Sequence, residues 1–379
     1  MSSTPLSRGS VSDDVTADVN AIVSGYLSDL AFVQVSRQKS YGYKRAAAAI
    51  RMLERPLPEL VTTAGALPRI AGIGPASTRV IQEVLSTGAS STVDAAIDAA
   101  GRRVDIERRR GLRAGFLSRA VVQRVLHDPD LAGPGLGDYR GDFQMHSEWS
   151  DGTPTLDEIA AACVARGYHY AAVSDHSYGL AIAGGMSMAD AAAQRVVVDR
   201  INTEYAGRFR LLQGVEANID RDGGLDLSEA EAASFDVVLA APHSALRKDD
   251  DQTARMVTAV SHPSVRILAH PRGRMSGVRA GVRADWAAVF EAAASRGVAI
   301  EIDGDPSRQD LDFTMARQAG AAGCLIALDS DAHTTAQLAY AEHAIAHARL
   351  AGIPVDRIVN CWHLERLLAW LAEPESEHE

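Results

Sequence analysis

From residue 138 onward the chain alternates short apolar runs with longer amphipathic stretches. Seven apolar runs lie near 142–146, 169–174, 209–216, 235–241, 265–269, 298–302 and 324–328. Runs of this length, bounded by polar residues, predict buried strands. Between them apolar residues recur at helical spacing over 155–167, 188–205, 252–261, 285–296 and 312–320, and later over 336–350 and 361–373. Strand and helix in regular alternation predict an α/β fold with parallel strands. The first third reads differently. Val19, Ile22, Val23 and Tyr26 recur at helical spacing, as do Ala47, Ile50 and Leu53, and Pro56 and Pro58 end that stretch. A short helix, a tight Gly72-Ile73-Gly74 turn and a second helix through Val80, Ile81 and Val84 are predicted next. Glycine suits a turn that needs positive φ or a close backbone approach. Such a turn can aim amide N–H groups at a phosphate, helped by the following helix N-terminus.

The polar residues that close the seven runs carry the chemistry. The runs end at His146, at Asp175-His176, at Glu216, at His243, at His270, at Asp303, and at Asp331 with His333. Parallel strands joined by helices place their C-terminal ends on one rim, so these residues can meet although they are far apart in sequence. Ligands drawn from nearly every strand end favour a closed barrel over an open sheet, where they would gather at one switch point. Imidazole and carboxylate together suit Zn²⁺, Mn²⁺ or Fe²⁺. Asp331 and His333, two apart on a strand exit, point to one side. Asp151 lies in a turn just past the first run, on the same rim.

Charge divides the chain. Residues 1–137 hold 17 Lys+Arg against 13 Asp+Glu, and residues 138–379 hold 21 against 36. An acidic part that gathers cations thus follows a mildly basic one. Residues 102–124 carry eight arginines, including Arg108, Arg109 and Arg110, with Leu112, Phe116, Val121, Val122 and Val125 as a helical stripe among them. Arginines so clustered form either a solvated basic face or a surface for nucleic-acid phosphates. The only lysines are Lys39, Lys44 and Lys248, which leaves few candidates for Schiff-base chemistry. Cys163, Cys324 and Cys361 make no CxxC pair and read as small buried hydrophobes in a reducing cytoplasm. No apolar stretch approaches the roughly 20 residues of a membrane span. The expected organisation is a disordered leader (1–14), an all-α part (15–127), a Pro/Gly linker (128–138), an α/β part (139–372) and an acidic tail (373–379).

The motifs now carry a resemblance. They are Gly-Asp-Phe-Gln-Met-His-Ser-Glu-Trp-Ser-Asp-Gly (141–152), Ser-Asp-His-Ser (174–177), Gly-Val-Glu (214–216), Ala-Pro-His-Ser (241–244), Ala-His-Pro (269–271) and Ser-Asp-Ala-His (330–333). With them, residues 139–335 resemble the polymerase and histidinol phosphatase (PHP) superfamily of metal-dependent phosphoesterases. The resemblance implies a distorted seven-stranded β/α barrel with up to three divalent ions. It implies a first ion on Gln144, His146, Glu216 and Asp331. A second would rest on Glu216, His243 and His270, and a third on Asp151, His176 and His333. Asp175, adjacent to His176, is expected to orient a ligand, and Arg272, Arg274 and Arg308, close in sequence to these strand ends, to serve either as phosphate clamps or in surface salt bridges. Two segments depart from the family pattern. Gln144 stands where the first motif usually has histidine, which weakens the first site. In the second, similar proteins tend to show asparagine at one of the positions held here by Asp303 and Asp305.

The segment Ser40 to Ala47, followed by Ile70-Ala71-Gly72-Ile73-Gly74, resembles the small helix-hairpin-helix domain of family X DNA polymerases. That implies DNA contacts from Lys44, Arg45, Gly72, Gly74 and Arg108–Arg110. About 50 residues separate Gly88 from Gly141, too few for a polymerase core. Neither Lys39 nor Lys44 falls clearly on the lyase position found in some relatives. The resulting expectation is a cytoplasmic phosphoesterase acting on DNA ends, gaps or lesions, as a 3′–5′ exonuclease or in 3′-end or AP-site processing during repair. No membrane or protein partner is implied. A phosphatase of the histidinol-phosphate type is the first alternative, with a phosphorylated small molecule as substrate. A non-catalytic DNA-end binding module is the second.

Overall fold

The computed structural model describes residues 18–63 and 66–372. The expected leader (1–14) and acidic tail (373–379) lie outside the described residues. The chain divides into two compact units, 1–127 and 128–379.

The described part of the first unit is helical: α1 (Val19–Val33), α2 (Arg37–Arg51), α3 (Leu57–Leu60), α4 (Pro75–Thr87), α5 (Ser91–Ala99), α6 (Arg103–Gly111) and α7 (Arg119–His127). Asp18, Ser36 and Ser90 cap α1, α2 and α5 by accepting first-turn N–H bonds. Val23, Leu27, Ile50, Ile81, Ile97 and Ile106 share one buried core. The short helix expected directly before the glycine turn is absent: residues 66–70 are irregular. Pro68 accounts for this, since it lacks an N–H and biases Leu67 away from helical backbone. The arginine-rich stripe is not continuous either. It breaks between α6 and α7, where Gly115 takes φ +75°.

The second unit holds six parallel strands in sequential order: β1 (Tyr170–Val173), β2 (Arg210–Asn218), β3 (Val237–Ala241), β4 (Val265–Leu268), β5 (Ala299–Asp303) and β6 (Leu325–Asp329). Helices α8 (Leu156–Ala165) and α9 (Met188–Glu204) flank β1, and each opens with a capping box, at Thr155 and Ser187. Strands buried on both faces need continuous apolar runs, and β1 and β3 are buried at every position.

Side-chain alternation links the core to the rim. Ala172, Leu212, Leu239, Ala241, Ala299 and Ala327 share one apolar cluster with Trp362, Leu367 and Trp370 from the C-terminal segment. Successive same-face positions along these strands are Ser174 and His176, Gly214 and Glu216, His243, Glu301 and Asp303, and Asp329 and Asp331. Each strand thus passes from the apolar interior to the polar rim along one face. His270 follows Ala269 of that cluster and is off parity. It takes φ +26°, and Asp331 takes φ +51°. Non-glycine residues in this region are uncommon and concentrate at functional sites.

Six strands are seen among the described residues where the sequence predicts seven. Residues 142–146 form no regular ladder, and only Met145 makes an isolated parallel bridge, to Ala332. The segment nevertheless joins β1 to the chain beyond β6. Ala172 N–H and Ser174 N–H donate to Asp142 O and Met145 O, each at 2.8 Å, and His146 N–H donates to Ala332 O at 2.8 Å. Other donors go to side chains. Phe143 N–H meets Asp329 Oδ1 at 2.7 Å, Gln144 N–H meets Asp142 Oδ1 at 3.1 Å, and Met145 N–H meets Ser174 Oγ at 3.2 Å. Side-chain acceptors competing for backbone donors disrupt a regular ladder.

Candidate metal centre

The rim residues converge on Glu216, which is fully buried on β2. His270 Nε2 lies 2.7 Å from Glu216 Oε1, and His243 Nε2 lies 3.1 Å from the same oxygen. On Oε2, His176 Nδ1 stands at 3.1 Å and His146 Nε2 at 3.3 Å. His146 Nε2 is also 3.2 Å from Asp331 Oδ1. Asp151 Oδ1 gathers His333 Nε2 at 3.4 Å, His176 Nε2 at 3.5 Å and His146 Nδ1 at 3.8 Å. Two ligand groups are compact enough for an ion: His146, Asp151, His176 and His333, and His176, Glu216 and His243. His176 therefore serves both groups, which its place in the sequence did not indicate. The turn carrying Asp151 folds back over His146. A Cβ on Gly152 would come within 2.2 Å of His146 O, so only glycine fits there.

These residues fit divalent cations. Both ring nitrogens of His146, Nδ1 of His176 and of His270, and Oε2 of Glu216 are buried without a hydrogen-bond partner. Buried polar atoms normally find one. A convergent set of imidazole nitrogens and carboxylate oxygens with open valence is the donor set of Zn²⁺, Mn²⁺ or Fe²⁺. Gln144 is also fully buried, and neither atom of its amide has a partner.

The ligands' fields act on one another. Burial resists charge on Glu216, but His176, His243 and His270 outweigh it and hold its pKa well below the carboxylate range. Asp331 is lowered against its burial by Arg308 and His146, and Asp151 by its bonds to His176 and His333. Burial opposes protonation of His333, yet Asp151 and Asp331 push its pKa up to about 9. His270 goes the other way, lowered by burial and by Arg308.

Several supporting residues carry no motif of their own. Asn218 Oδ1 lies 2.6 Å from His243 Nδ1. It accepts that N–H and leaves Nε2 facing Glu216, the tautomer lock common around metal-binding histidines. Glu301 accepts the His270 N–H. Period-two spacing places Glu301 and Asn218 on the rim-facing side of β5 and β2, a usable signal. Asp175 does not orient a ligand ring. Its carboxylate accepts Ser147 N–H at 2.8 Å, Ser147 Oγ–H at 2.6 Å, Ser150 Oγ–H at 2.5 Å and Gln194 Nε2 at 2.7 Å, anchoring the 147–150 loop.

Of the three expected phosphate clamps, only Arg308 reaches the centre, with NH2 3.2 Å from Asp331 Oδ2. Arg274 is buried against Asp312 Oδ2 at 2.9 Å and Arg308 O at 3.0 Å. Arg272 turns to Met315 Sδ and Ala280 O. Both are drawn off by local acceptors that sequence proximity could not reveal.

In the first unit, a groove of about 1080 Å³ is lined by Lys39, Tyr41, Arg45, Arg69 and Arg79 around the Gly72–Gly74 turn. Gly72 takes φ +86°, and a Cβ there would press on Arg45 Cγ at 3.3 Å. Helix α4 starts at Pro75 with no side-chain cap and no acidic residue in its first turn, so its N-terminus presents uncompensated positive potential. Lys44 is exposed but does not line the groove, whereas Lys39, Arg69 and Arg79 do. The arginine triplet lies elsewhere in the unit. Arg110 Nε pairs with buried Asp29 at 2.7 Å, Arg109 stacks over Phe32 at 4.3 Å, and Arg108 is exposed on α6.

No family model matches the chain. It is 34% identical over 237 residues to the DNA polymerase/3′-5′ exonuclease PolX of Bacillus subtilis, a match covering 62% of this chain and 41% of the relative. The probable phosphatase YcdX of Escherichia coli is 29% identical over 234 residues, covering 59% of this chain and 90% of the relative. These matches, to the PHP-domain region of PolX and to YcdX-like probable phosphatases, support a PHP-type metal-dependent phosphoesterase. The chain spans about two fifths of the PolX length it matches and most of YcdX. Among solved structures, the histidinol phosphate phosphatase of Lactococcus lactis, complexed with zinc, L-histidinol and phosphate, aligns with the chain at TM-score 0.42 and 15% identity. That alignment covers 55% of this chain and 94% of the other. No described helix is long and apolar enough to cross a membrane.

Proposed function

We propose that this chain is a metal-dependent phosphoesterase acting on DNA, as a 3′–5′ exonuclease or in processing 3′ ends or AP sites. The observation that carries the reading is a buried centre of partnerless imidazole and carboxylate atoms in a chain that also holds a basic, glycine-turned groove. His146, Asp151, His176 and His333 would hold one ion, and Glu216, His243 and His270 with His176 another. Gln144, His146, Glu216 and Asp331 are the positions where the family resemblance would put a further ion. Bound divalent ions of this kind lower the pKa of a coordinated water toward about 7 and neutralise phosphate oxygens.

The chain's own residues supply the rest. Asp151, His333, Arg308 and His243 are the site residues with most access to solvent, with side chains 36%, 29%, 24% and 17% exposed. Substrate enters on that side. Arg308 keeps N–H donors for a phosphate oxygen, and its fixed charge stabilises charge growing in the transition state. Asn218 fixes the His243 tautomer, and Asp175 holds the loop that delivers Asp151. In the first unit, Lys39, Arg45, Arg69 and Arg79 with the α4 N-terminus hold DNA backbone phosphates.

A second reading, a small-molecule phosphatase, is favoured by the match to YcdX over most of that protein's length. Parallel assays with Mn²⁺ or Zn²⁺ on 3′-recessed duplex DNA and on histidinol phosphate separate the two. DNA degradation that disappears in His243→Ala is the expected result. Turnover of the small phosphate alone would establish the second reading instead. DNA binding without turnover with either metal would make the chain a binding module.

A further inference from the structure

Gln144 and Asp303 both depart from the family pattern: Gln144 O accepts the N–H of Ala332, next to Asp331, at 3.3 Å, and Asp303 lies near Arg308. Arg308 places NH2 3.2 Å from Asp331 Oδ2 and Nε 3.8 Å from Asp303 Oδ2. Asp303 is fully buried and its Oδ2 has no hydrogen-bond partner. The guanidinium therefore pairs with Asp331, just past β6, and lies near buried Asp303 at the end of β5. Asp331 is the residue that would anchor an ion beside Gln144 and His146. The compact ligand groups among the described residues do not include it.

We infer that the PHP unit holds two divalent ions rather than three, and that the Arg308 guanidinium takes the place of the remaining ion beside Asp331. This rests on the metal-centre part of the function proposed above. Three physical reasons support it. An amide oxygen carries no charge and is a poorer ligand for Zn²⁺ or Mn²⁺ than imidazole, so Gln144 weakens the pull on an ion. A guanidinium is charged at every relevant pH, so it cannot make room by losing a proton. Asp303 places a second acidic side chain 3.8 Å from the guanidinium. The two departures thus point the same way: one weakens the ion's site, and the other puts an acidic side chain beside its competitor. The positive charge needed by Asp331 is retained as a fixed part of the chain.

The full chain, stripped with chelator, can be titrated with Mn²⁺ while free ion is followed by electron paramagnetic resonance. Elemental analysis of the gel-filtered protein gives an independent count. Two ions per chain are expected, and three tightly held ions would overturn the inference. Gln144→His, which supplies an imidazole, and Arg308→Met, which releases Asp331, are each expected to raise the count to three. If both variants stay at two up to millimolar Mn²⁺, the inference falls. Gln144→His keeps the test decisive should Arg308→Met fail to fold. The ion count is read without substrate, so failure on DNA leaves it standing. A chain that binds no ion would overturn the proposed function as well.

Discussion

The two sides of the metal centre are built differently. On the β2–β3 side, strands run in register from the apolar core to the rim, and Glu216 and His243 arrive by simple alternation. His243 is then held by one neutral partner, Asn218, at 2.6 Å. On the other side β5 and β6 pair regularly, but residues 142–146, which border them, form no regular ladder. Backbone donors go to Asp142, Asp329 and Ser174, Asp331 takes a positive φ, and a guanidinium lies among the carboxylates and imidazoles of the rim. The regular side positions ligands through the fold. The irregular side positions them through side-chain hydrogen bonds and charge, so single substitutions there can change what the site binds.

If the regular side depends on Asn218, Asn218→Ala should lower metal affinity by about 10–100-fold, the usual cost of losing an outer partner of a ligand histidine. Asn218→Asp, which keeps the acceptor, should retain most of it. Metal titration of both variants checks this, and equal loss in the two would show that the tautomer lock is not what matters.

A similar contrast divides the arginines of the first unit. Arg45 and Arg79 line the groove, whereas Arg109 and Arg110 are engaged by Phe32 and Asp29. Arg45→Glu should weaken DNA binding and make its log–log salt dependence shallower by roughly one unit. Arg108→Glu, on exposed α6 outside the groove, should change that slope less. Binding measured from low to moderate salt decides between them, and a larger effect at Arg108 would reverse the assignment.

The smallest expected effect concerns protons on the Asp151 side. The folded pKa of His333 is pushed up to about 9 by Asp151 and Asp331 against burial, from an unfolded value of about 6.5. Its contribution to metal-free stability is therefore complete below about pH 6.5 and lost as pH rises through about 9. Thermal melts of chelator-treated protein should decline by a few degrees over that window, and His333→Asn should flatten the decline. Metal loading should release protons in the same range. A melt independent of pH, or steeper in the variant, would show that the Asp151–His333 contact is not formed in solution.

Much of the centre is legible in the sequence. Short apolar runs ending in His, Asp or Glu can be read because strand burial and rim chemistry are both local along the chain, and those strand ends do converge. Six of the seven predicted strands are readable for the same reason. The seventh is not, because several of its backbone donors go to side chains, and two of these, Asp329 and Ser174, are distant in sequence. Arg272 and Arg274 look equal to Arg308 for a related reason, since proximity along the chain says nothing about which carboxylate captures a long side chain. The arginine triplet misleads in the opposite sense. A charge run reads as a surface, yet Asp29 and Phe32, some 80 residues earlier, engage two of its members.

By itself, the sequence determined the α/β alternation, the residue types on the rim and the departures at Gln144 and Asp303, because these follow from period, composition and motif. Tertiary structure alone decided which of those residues gather into compact groups, that His176 belongs to two of them, that Asn218 holds His243, and that Arg308 rather than Arg272 or Arg274 faces Asp331. Those outcomes depend on distances of a few ångströms between atoms from different strands. Only the packed chain sets such distances, and Coulomb and ligand interactions at this range are steep enough for them to decide the chemistry.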